Sequence, residues 1–364
     1  MLLEFITTLT EGIRTPHPED FILNGSQAAT DAITGMLAAI SNPTIVSIKW
    51  DGSPSIIFGR RTADGVFTMN YKEYIAMPGG QATSSQDLLN FFAQNGKNMD
   101  VGQKLANMFD AVASIVPAGF KGFVQADVMW TEPVSTDNGY FVFQANPYGV
   151  QYRVKIDSPI GKEIQGRSFG LAVHTIGTDV EKTTKGTELV GKTSMQGSGG
   201  LAKTNQYITV LTGTMGNRFK LREPVQQVRA AQAAVQRFAQ LNGDDFLSKL
   251  TQSTVAKLQT YYNRKYTGQA ADAGWLANNI TKPQFAIVAA EENRPVMEAM
   301  DAAYVAIYAL KLAILEQLEP QVQGVEQYVN GVPKGEGFVI NTPSGFIKLV
   351  NRGVFSTANV QGRL

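Results

Sequence analysis

The chain has 364 residues, enough for one large hydrophobic core or two modest domains. Its formal net charge of +1 provides no overall basic field, so any nucleic acid must be bound by a local basic groove. The absence of cysteine excludes disulfides, thiolate metal sites and cysteine nucleophiles, and two histidines are too few for a multi-histidine metal site within one chain.

The amino-terminal region predicts short helical or irregular pieces over residues 1–24, followed by a helix that Ser26 caps and that runs to Ile40. The first residues carry Glu4 in their apolar part and have no basic lead, unlike a signal peptide. The longest weakly polar run, residues 302–310, is far shorter than the roughly 20 residues that span a bilayer. We therefore expect a cytoplasmic protein (host cytoplasm if it is viral) without membrane contact.

Two apolar, β-branched runs, residues 45–48 and 55–58, flank the polar segment 49–54, which contains Asp-Gly and Pro. The runs predict buried strands, and the polar segment predicts the turn between them. A lysine at the end of an apolar strand, here Lys49, is costly to desolvate unless something pairs or uses it. Either its amine reaches water above an ordinary turn, or it is a nucleophile whose pKa burial and neighbouring cations lower from about 10.4 toward about 7–8.

A hairpin and two helices follow this turn. Strand 55–60 leads through an Ala-Asp-Gly turn into strand 66–71, and Lys72 stands at the end of the second strand. Apolar spacing predicts helices around residues 86–94 and 100–116.

Asp127 interrupts an apolar strand predicted over residues 122–130. A central strand tolerates a carboxylate poorly unless the carboxylate is paired, so Asp127 is either part of a salt bridge or a functional residue. The next segments predicted as strands are residues 140–144, 150–155 and 168–176.

Residues 186–193, GTELVGKT, satisfy the G-x-x-x-x-G-K-T pattern of a phosphate-binding loop. Such a loop needs a buried strand before its first glycine and a helix that starts at its lysine. Here polar residues precede the pattern and a Gly-rich stretch follows it, so we interpret it as a chance match.

The segment 223–329 is predicted as an all-helical module, because apolar residues recur at helical spacing after Pro224, over 244–262 and from Pro295 onward. Residues 263–266, NRKY, are either a solvated face or a basic patch with interleaved aromatic residues that suits a nucleic-acid backbone.

The chain then returns to strands at residues 335–340 and 346–350. Glu336 and Lys348 bring charges to these apolar strands, unless the two strands form an edge hairpin whose charges face solvent.

The string Lys49-Trp-Asp51-Gly52 resembles the nucleophile motif of the covalent nucleotidyltransferases, the superfamily of ATP-dependent polynucleotide ligases and mRNA-capping enzymes. The strand around Asp127 resembles the third motif of this superfamily, with Ala126 where glycine is usual and an aspartate where glutamate is commoner.

Two later motifs follow in the order of the superfamily. Glu336-Gly-Phe-Val-Ile resembles the fourth motif, and Phe-Ile-Lys348-Leu-Val350 resembles the fifth, in which Val350 replaces a second lysine. The phage RNA ligases are the most similar branch. The resemblance implies the α+β class: a nucleotidyltransferase (ATP-grasp-like) domain of antiparallel sheets with an inserted all-helical module. That domain would comprise residues 1–222, including an amino-terminal helical segment, and 330–364.

The resemblance also implies roles for individual residues. Lys49 would attack the α-phosphate of ATP and hold AMP as a phosphoramide. For Lys72, a phosphate contact is implied, with Arg60 and Arg61 as rivals. The residues implied in nucleotide binding are Asp51, Gly52, Lys72, Phe169, Glu336 and Lys348. The residues implied in binding Mg²⁺ are Asp127 and Glu336.

The function that the resemblance implies is that of an ATP-dependent RNA ligase with Mg²⁺ as cofactor. AMP would pass from Lys49 to a 5′-phosphate RNA end, and a 3′-hydroxyl end would then join the strands. Two alternatives stay open: a non-catalytic nucleic-acid-binding or virion protein on a decayed ligase scaffold, and a capping or AMP-transfer enzyme with another acceptor. The oligomeric state is not predicted.

Overall fold

The computed structural model describes residues 17–146, 149–177, 179–180, 208–211, 219–269, 271–329, 331–333, 335, 337–342 and 345–352. These residues fall into two compact units, called here the first and the second unit. The first unit comprises the described residues within Ser47–Thr214 and Gln323–Gly335. The second comprises those within Thr15–Val46, Met215–Val322 and Glu336–Leu364.

The α-helices of the described residues, in chain order, are α1 (Ser26–Ser41), α2 (Ser85–Gln94), α3 (Met99–Ile115), α4 (Pro159–Ile164), α5 (Val225–Gln240), α6 (Gly243–Ser248), α7 (Gln252–Tyr266), α8 (Ala273–Asn279), α9 (Lys282–Ala289) and α10 (Arg294–Leu318). Short 3₁₀ helices lie at Pro18–Asn24, Pro43–Ile45, Glu291–Asn293 and Glu319–Gln321.

The strands are β1 (Val46–Ile48), β2 (Ser55–Arg60), β3 (Phe67–Tyr71), β4 (Gly122–Trp130), β5 (Ser135–Asp137), β6 (Tyr140–Asn146), β7 (Val150–Lys155), β8 (Phe169–Gly177), β9 (Ile208–Leu211), β10 (Val325–Val329), β11 (Val332–Pro333), β12 (Phe338–Thr342) and β13 (Gly345–Leu349).

One sheet of the first unit, called here the β4 sheet, has the strand order β3-β2-β4-β8-β9. Its neighbouring strands pair antiparallel except β8 and β9, which run parallel. Helices α2 and α3 cover one face, and the apolar side chains between helices and sheet form the core. The members of this core include Ile56, Phe58, Met69, Leu88, Phe92, Leu105, Phe109, Val124 and Leu171.

A second sheet of the first unit, called here the β7 sheet, is antiparallel throughout and has the order β11-β10-β7-β6-β5. Strand β7 buries Val150, Tyr152 and Val154, and the residues between them are more exposed. This alternation is typical of an antiparallel sheet that packs one face against the protein interior. Strand β10 comes from far along the chain and pairs with β7 over its full length.

The coarse fold prediction is confirmed, because the chain is mixed α/β with antiparallel sheets and helices. The predicted strands 122–130 and 150–155 coincide with β4 and β7, and the predicted helices 86–94 and 100–116 match α2 and α3 within one residue. That these elements form a nucleotidyltransferase fold stays a prediction.

The second unit combines α1, helices α5 to α10 and the antiparallel hairpin of β12 and β13. Helix α10 packs along α5 and buries one face over its whole length. Helix α1 approaches the hairpin closely at Gly35, where an added Cβ would lie 2.8 Å from side-chain atoms of both Thr342 and Ile347. In the part of the chain that the structure describes, no helix is long and apolar enough to cross a membrane.

Several details differ from the sequence predictions. The helix predicted over 244–262 is two helices, because the side chain of Thr251 accepts a hydrogen bond from the amide of Thr254 and starts α7 anew. Helices α8 and α9 lie within the predicted helical module, but the apolar spacing does not predict their individual bounds. Ser26 is the first residue of α1 rather than its cap, and its amide and hydroxyl donate to the carboxylate of Asp244.

The ends of the predicted helical module also differ from the observed division of the chain. Residues 325–329, predicted within that module, form β10 of the first unit, since pairing with β7 outweighs local preference. The described residues 337–352, predicted with the sheets of the first unit, belong to the second unit.

Candidate active site

The polar segment of residues 49–54, called here the elbow, joins β1 to β2 and is held by side chains of the β7 sheet. Nε2 of Gln327, in β10, donates to the carbonyl of Lys49 at 3.1 Å. The amide of Asp51 donates to the hydroxyl of Tyr152, in β7, at 2.8 Å. The first half of the elbow is therefore anchored to the β7 sheet.

The second half of the elbow is bonded to both sheets. The amide of Gly52 donates to Oδ2 of Asp127, in β4, at 3.3 Å. The amide of Ser53 lies 3.1 Å from the carbonyl oxygen of Val128, in β4, and 2.8 Å from that of Ala145, in β6. Three successive backbone amides thus find acceptors inside the protein, as buried backbone donors require.

No side chain fits at Gly52. An added Cβ would lie 2.5 Å from the carbonyl oxygen of Val128 and 2.8 Å from the sulfur of Met129. The carbonyl belongs to the backbone of a central strand and cannot move aside as a flexible side chain would. The glycine of the K-x-D-G string is therefore required by the close approach of the elbow to β4.

The side chain of Lys49 is largely withdrawn from solvent, with 15% of its surface exposed. Its Nζ lies 3.6 Å from Oδ2 of Asp51, whose side chain is 35% exposed. The side chain of Lys49 is therefore mostly buried, and the side chain of Asp51 beside it is partly exposed.

A row of four buried aromatic side chains supports the elbow. The ring of Trp50 lies 4.9 Å from that of Tyr152, which stacks on Phe143 at 5.4 Å. Phe143 in turn lies 4.9 Å from Trp130 of the β4 sheet. Aromatic residues bury large areas and pack in defined geometries, so this row fixes the elbow against both sheets.

Asp127 is buried in the β4 sheet and is paired. Its Oδ2, which accepts the Gly52 amide, also lies 2.8 Å from Nε2 of His174 in β8. Burial alone would raise the pKa of Asp127, but the adjacent imidazole of His174, with the amide of Gly52 and the hydroxyl of Ser55, holds that pKa below its usual value. The carboxylate is therefore ionised. It is paired with His174, as the structural one of the two interpretations of a buried acid requires.

These partners bear on the magnesium role predicted for Asp127. Mg²⁺ is usually bound by one or two carboxylates together with waters and substrate phosphates, and Oδ2 of Asp127 already has two protein partners. Within the described ranges, no group of three or more histidine or acidic side chains could hold a metal ion. The contacts of Asp127 favour a role in holding the elbow over a role as metal ligand.

Among the three candidate phosphate contacts, position favours Lys72. Arg60 donates to backbone carbonyls after α3 and in the hairpin turn, and Arg61 forms an ion pair within that turn. The amide of Lys72 donates to the carbonyl of Ser55 at 2.9 Å, and Ser55 pairs with Asp127 across β2 and β4. Lys72 therefore lies at the same end of the β4 sheet as Asp127.

Phe169 lies on the other face of the β4 sheet. Its ring is half-buried against the core beneath α2 and α3, and it alternates along β8 with Leu171 and Val173 of that core. Asp127 pairs with Ala172, on the opposite face. The structure does not bring Phe169 to the face that bears Asp127, and a base-stacking role stays a prediction without support from its position.

Two predicted residues are not part of the first unit as described. Glu336 lies outside the described residues, as does the loop of residues 186–193. Lys348 is half-buried in β13 of the second unit, opposite Val339 of β12. The predicted residues that the structure brings together are Lys49, Asp51, Gly52 and Asp127.

Sequence reasoning did not single out Gln327, Tyr152 or Phe143 as supports of the elbow. The alternation of apolar and polar residues in β6 and β7 indicates that Phe143 and Tyr152 are buried. It cannot show which backbone amide donates a hydrogen bond to the Tyr152 hydroxyl. For Gln327 no local signal exists, because its contact with Lys49 joins residues far apart in the sequence.

Comparison with known proteins found one family. The family model described as "Family of unknown function (DUF6267)" matches residues 15–266 and 248–363 of the chain. No curated protein matches the chain, and no solved structure matches it.

Proposed function

Because the chain belongs to the family of unknown function DUF6267, we propose its activity from its own residues: it is an ATP-dependent nucleotidyltransferase of the RNA-ligase type. In this proposal the protein adenylylates itself on Lys49 and transfers AMP to a 5′-phosphate RNA end, and the strand is then joined to a 3′-hydroxyl end.

The observation that carries the proposal is the placement of Lys49 on an elbow held by both sheets of the first unit. Hydrogen bonds from Gln327 and to Tyr152 and Asp127 fix the backbone on either side of the lysine. A covalent catalyst gains from such fixation, because a nucleophile held in line with its target avoids much of the entropic cost of a bimolecular reaction.

The chemistry requires a neutral amine. Nζ of Lys49 would attack the α-phosphorus of ATP, an N–P bond would form, and pyrophosphate would leave as the P–O bond breaks. Oδ2 of Asp51, 3.6 Å from Nζ and open to water, is a carboxylate that can receive the proton the amine loses. A 5′-phosphate oxygen of RNA would then displace Lys49 from the AMP phosphorus, and attack by the 3′-hydroxyl would release AMP.

Magnesium bound with the triphosphate would supply charge stabilisation at the phosphate oxygens. No step of the proposal depends on Asp127 as its ligand, because that carboxylate is held by Gly52 and His174. Among the basic residues, Lys72 is proposed as a phosphate contact on the strength of its place in the β4 sheet. The roles implied for Glu336 and Lys348 stay predictions.

The proposal is tested with ATP labelled at the α-phosphate. Wild-type protein with magnesium should take up a covalent label that survives denaturation, and Lys49→Ala should take up none. Lys104→Ala, which removes an exposed lysine of α3, is the matched control and should label like the wild type. Absence of label with all four nucleoside triphosphates would refute the proposal.

Acceptor assays separate the neighbouring functions. Sealing of nicked RNA after labelling supports a ligase, whereas labelling with GTP or without strand joining indicates a capping or other transfer enzyme. Nicked DNA offered in parallel decides between the two nucleic acids.

One observation favours a second function, non-catalytic binding of nucleic acid. In the second unit, the guanidinium of Arg264 lies 5.5 Å above the ring of Trp275, whose centroid is 6.4 Å from that of Tyr261, and all three side chains are half-buried. Partly exposed aromatic rings beside a cation can stack on unpaired bases. RNA binding that weakens several-fold in Trp275→Ala, in a protein that takes no label, would support this second function.

A further inference from the structure

His174 occupies an irregular position in β8. Thr175 pairs with Gln125 of β4, and the next pair joins Val173 to Ala126, so His174 is the extra residue of a β-bulge. A bulge bends its strand and re-aims the side chain of the extra residue, and bulges are frequent beside functional sites.

The bulge directs the imidazole to the carboxylate under the elbow. Nε2 of His174 lies 2.8 Å from Oδ2 of Asp127, and that same oxygen accepts the amide of Gly52 at 3.3 Å. The two atoms form an ion pair when the imidazole is protonated, and this close contact links β8 to the carboxylate. The histidine therefore orients the carboxylate by electrostatic contact, and the carboxylate orients the elbow by accepting the Gly52 amide.

We propose that His174 is a positioning residue for Lys49. It fixes the carboxylate of Asp127, which holds the amide of Gly52 three residues after the lysine. The catalytic part of this inference rests on the proposed nucleotide transfer, but the mechanical part does not. It also assigns Asp127 a function, since the carboxylate connects β8 to the elbow.

A positioning role can be distinguished from a purely structural role, in which His174 only pairs with the buried carboxylate of Asp127. If His174 only stabilised the sheet, its loss would lower stability and leave the Lys49 amine where it is in every molecule that folds. If it positions the elbow, folded variants should react slowly, because a displacement of about 1 Å can cost on the order of a hundredfold in rate.

Amide hydrogen exchange tests the mechanical part without any assumption about catalysis. Exchange at the Gly52 amide should be about tenfold faster in His174→Leu than in the wild type, corresponding to one lost charge-assisted hydrogen bond. His174→Gln retains an N–H donor and should restore slow exchange. The amide of Asp51, which bonds to Tyr152, serves as an internal reference and should change less. Equal exchange at Gly52 in all three proteins would overturn the inference.

The rate of Lys49 labelling tests the catalytic part. His174→Leu should label at least tenfold more slowly than the wild type, and His174→Gln should recover most of the rate. If His174→Leu does not fold, Asp127→Asn replaces it, because the amide keeps an acceptor for Gly52 but loses the charge that pairs with the histidine. Folded variants that label at the wild-type rate would overturn the positioning role.

Failure of the proposed nucleotide transfer and failure of the positioning role of His174 give different results. A wild type that takes no label refutes the proposed function, while the exchange measurement still decides whether His174 holds the elbow. A wild type that labels, with no effect of His174 on exchange or rate, refutes the further inference alone.

Discussion

Nζ of Lys311 lies 2.6 Å from Oε1 of Glu19 in the second unit, and neither side chain exposes any surface to solvent. Beside this pair, the guanidinium of Arg352 bonds to the carboxylate of Asp20 and to the hydroxyl of Tyr304. Two carboxylates are thus balanced by two cations that come from α10 and from the segment after β13. Buried charges persist only when they are paired, so the cluster makes these distant chain segments depend on one another.

Breaking the buried pair on one side should be costly. Lys311→Met removes the nearer of two cations from buried Glu19, leaving Nε of Arg352 at 3.4 Å from Oε1, and should lower the free energy of unfolding by about 3 kcal/mol. The double variant Glu19→Gln with Lys311→Met should recover most of this loss, because both buried charges are removed together. Urea unfolding followed by circular dichroism measures the difference.

The matched control for this comparison is Arg294→Ala, which removes an exposed ion pair with Glu291 and should cost at most about 1 kcal/mol. A loss in Lys311→Met no larger than that of the control would show that the buried pair contributes little to stability.

The stability of the protein should rise between about pH 8 and pH 10. Burial lowers the pKa of Lys311 to about 8, although the charge of Glu19 opposes the shift. Between this value and the ordinary lysine pKa of about 10.4, the unfolded chain binds a proton that the folded chain does not, so raising the pH favours the folded state by up to about 3 kcal/mol.

Above about pH 10 the trend should reverse. Burial raises the pKa of Tyr262 and Tyr304, so the unfolded chain loses their protons first and gains stability. Chemical denaturation across pH 7–11 measures both parts of the curve. The Glu19→Gln, Lys311→Met double variant should not show the increase in stability between pH 8 and pH 10. An increase equal to that of the wild type would show that groups other than Lys311 cause it.

Gly52→Ala should destabilise the first unit and abolish labelling of Lys49. The new methyl group would lie 2.5 Å from the carbonyl oxygen of Val128, so the elbow must move away from β4. Such overpacking costs about 1–3 kcal/mol. Gly119→Ala is the control, since nothing lies within 4 Å of its added Cβ, and it should change stability by less than about 0.5 kcal/mol.

Alanine variants of Lys72 and Arg60 should distinguish a cation that contributes to Lys49 labelling from a cation that contributes to stability. Arg60→Ala removes hydrogen bonds to backbone carbonyls after α3 and in the hairpin turn, and should cost about 2 kcal/mol in unfolding free energy. Lys72→Ala should cost less than about 1 kcal/mol but slow Lys49 labelling at least tenfold. Thermal melts and labelling rates on both variants measure this, and normal labelling in Lys72→Ala would remove this residue from the proposed site.

The sequence alone determined the local elements of the first unit and singled out the elbow. Strands such as β4 and β7 and helices α2 and α3 follow from apolar spacing within short windows, and the Asp-Gly-Ser-Pro string marks the turn after Lys49. These signals are local, because they arise from backbone preferences and from burial of one face. The same reasoning missed β10, where pairing with a distant strand decides the conformation.

Only the tertiary structure decided what the elbow touches and why Gly52 cannot be replaced. The hydrogen-bond partners of the elbow come from β4, β6, β7 and β10. The role of His174, which contacts Asp127, depends on a bulge that shifts the register of β8 by one residue. The pairing of Glu19 with Lys311 joins residues 292 positions apart. Contacts between residues so far apart do not produce a repeating pattern in a single sequence. Which residues meet depends on the three-dimensional arrangement of the folded chain.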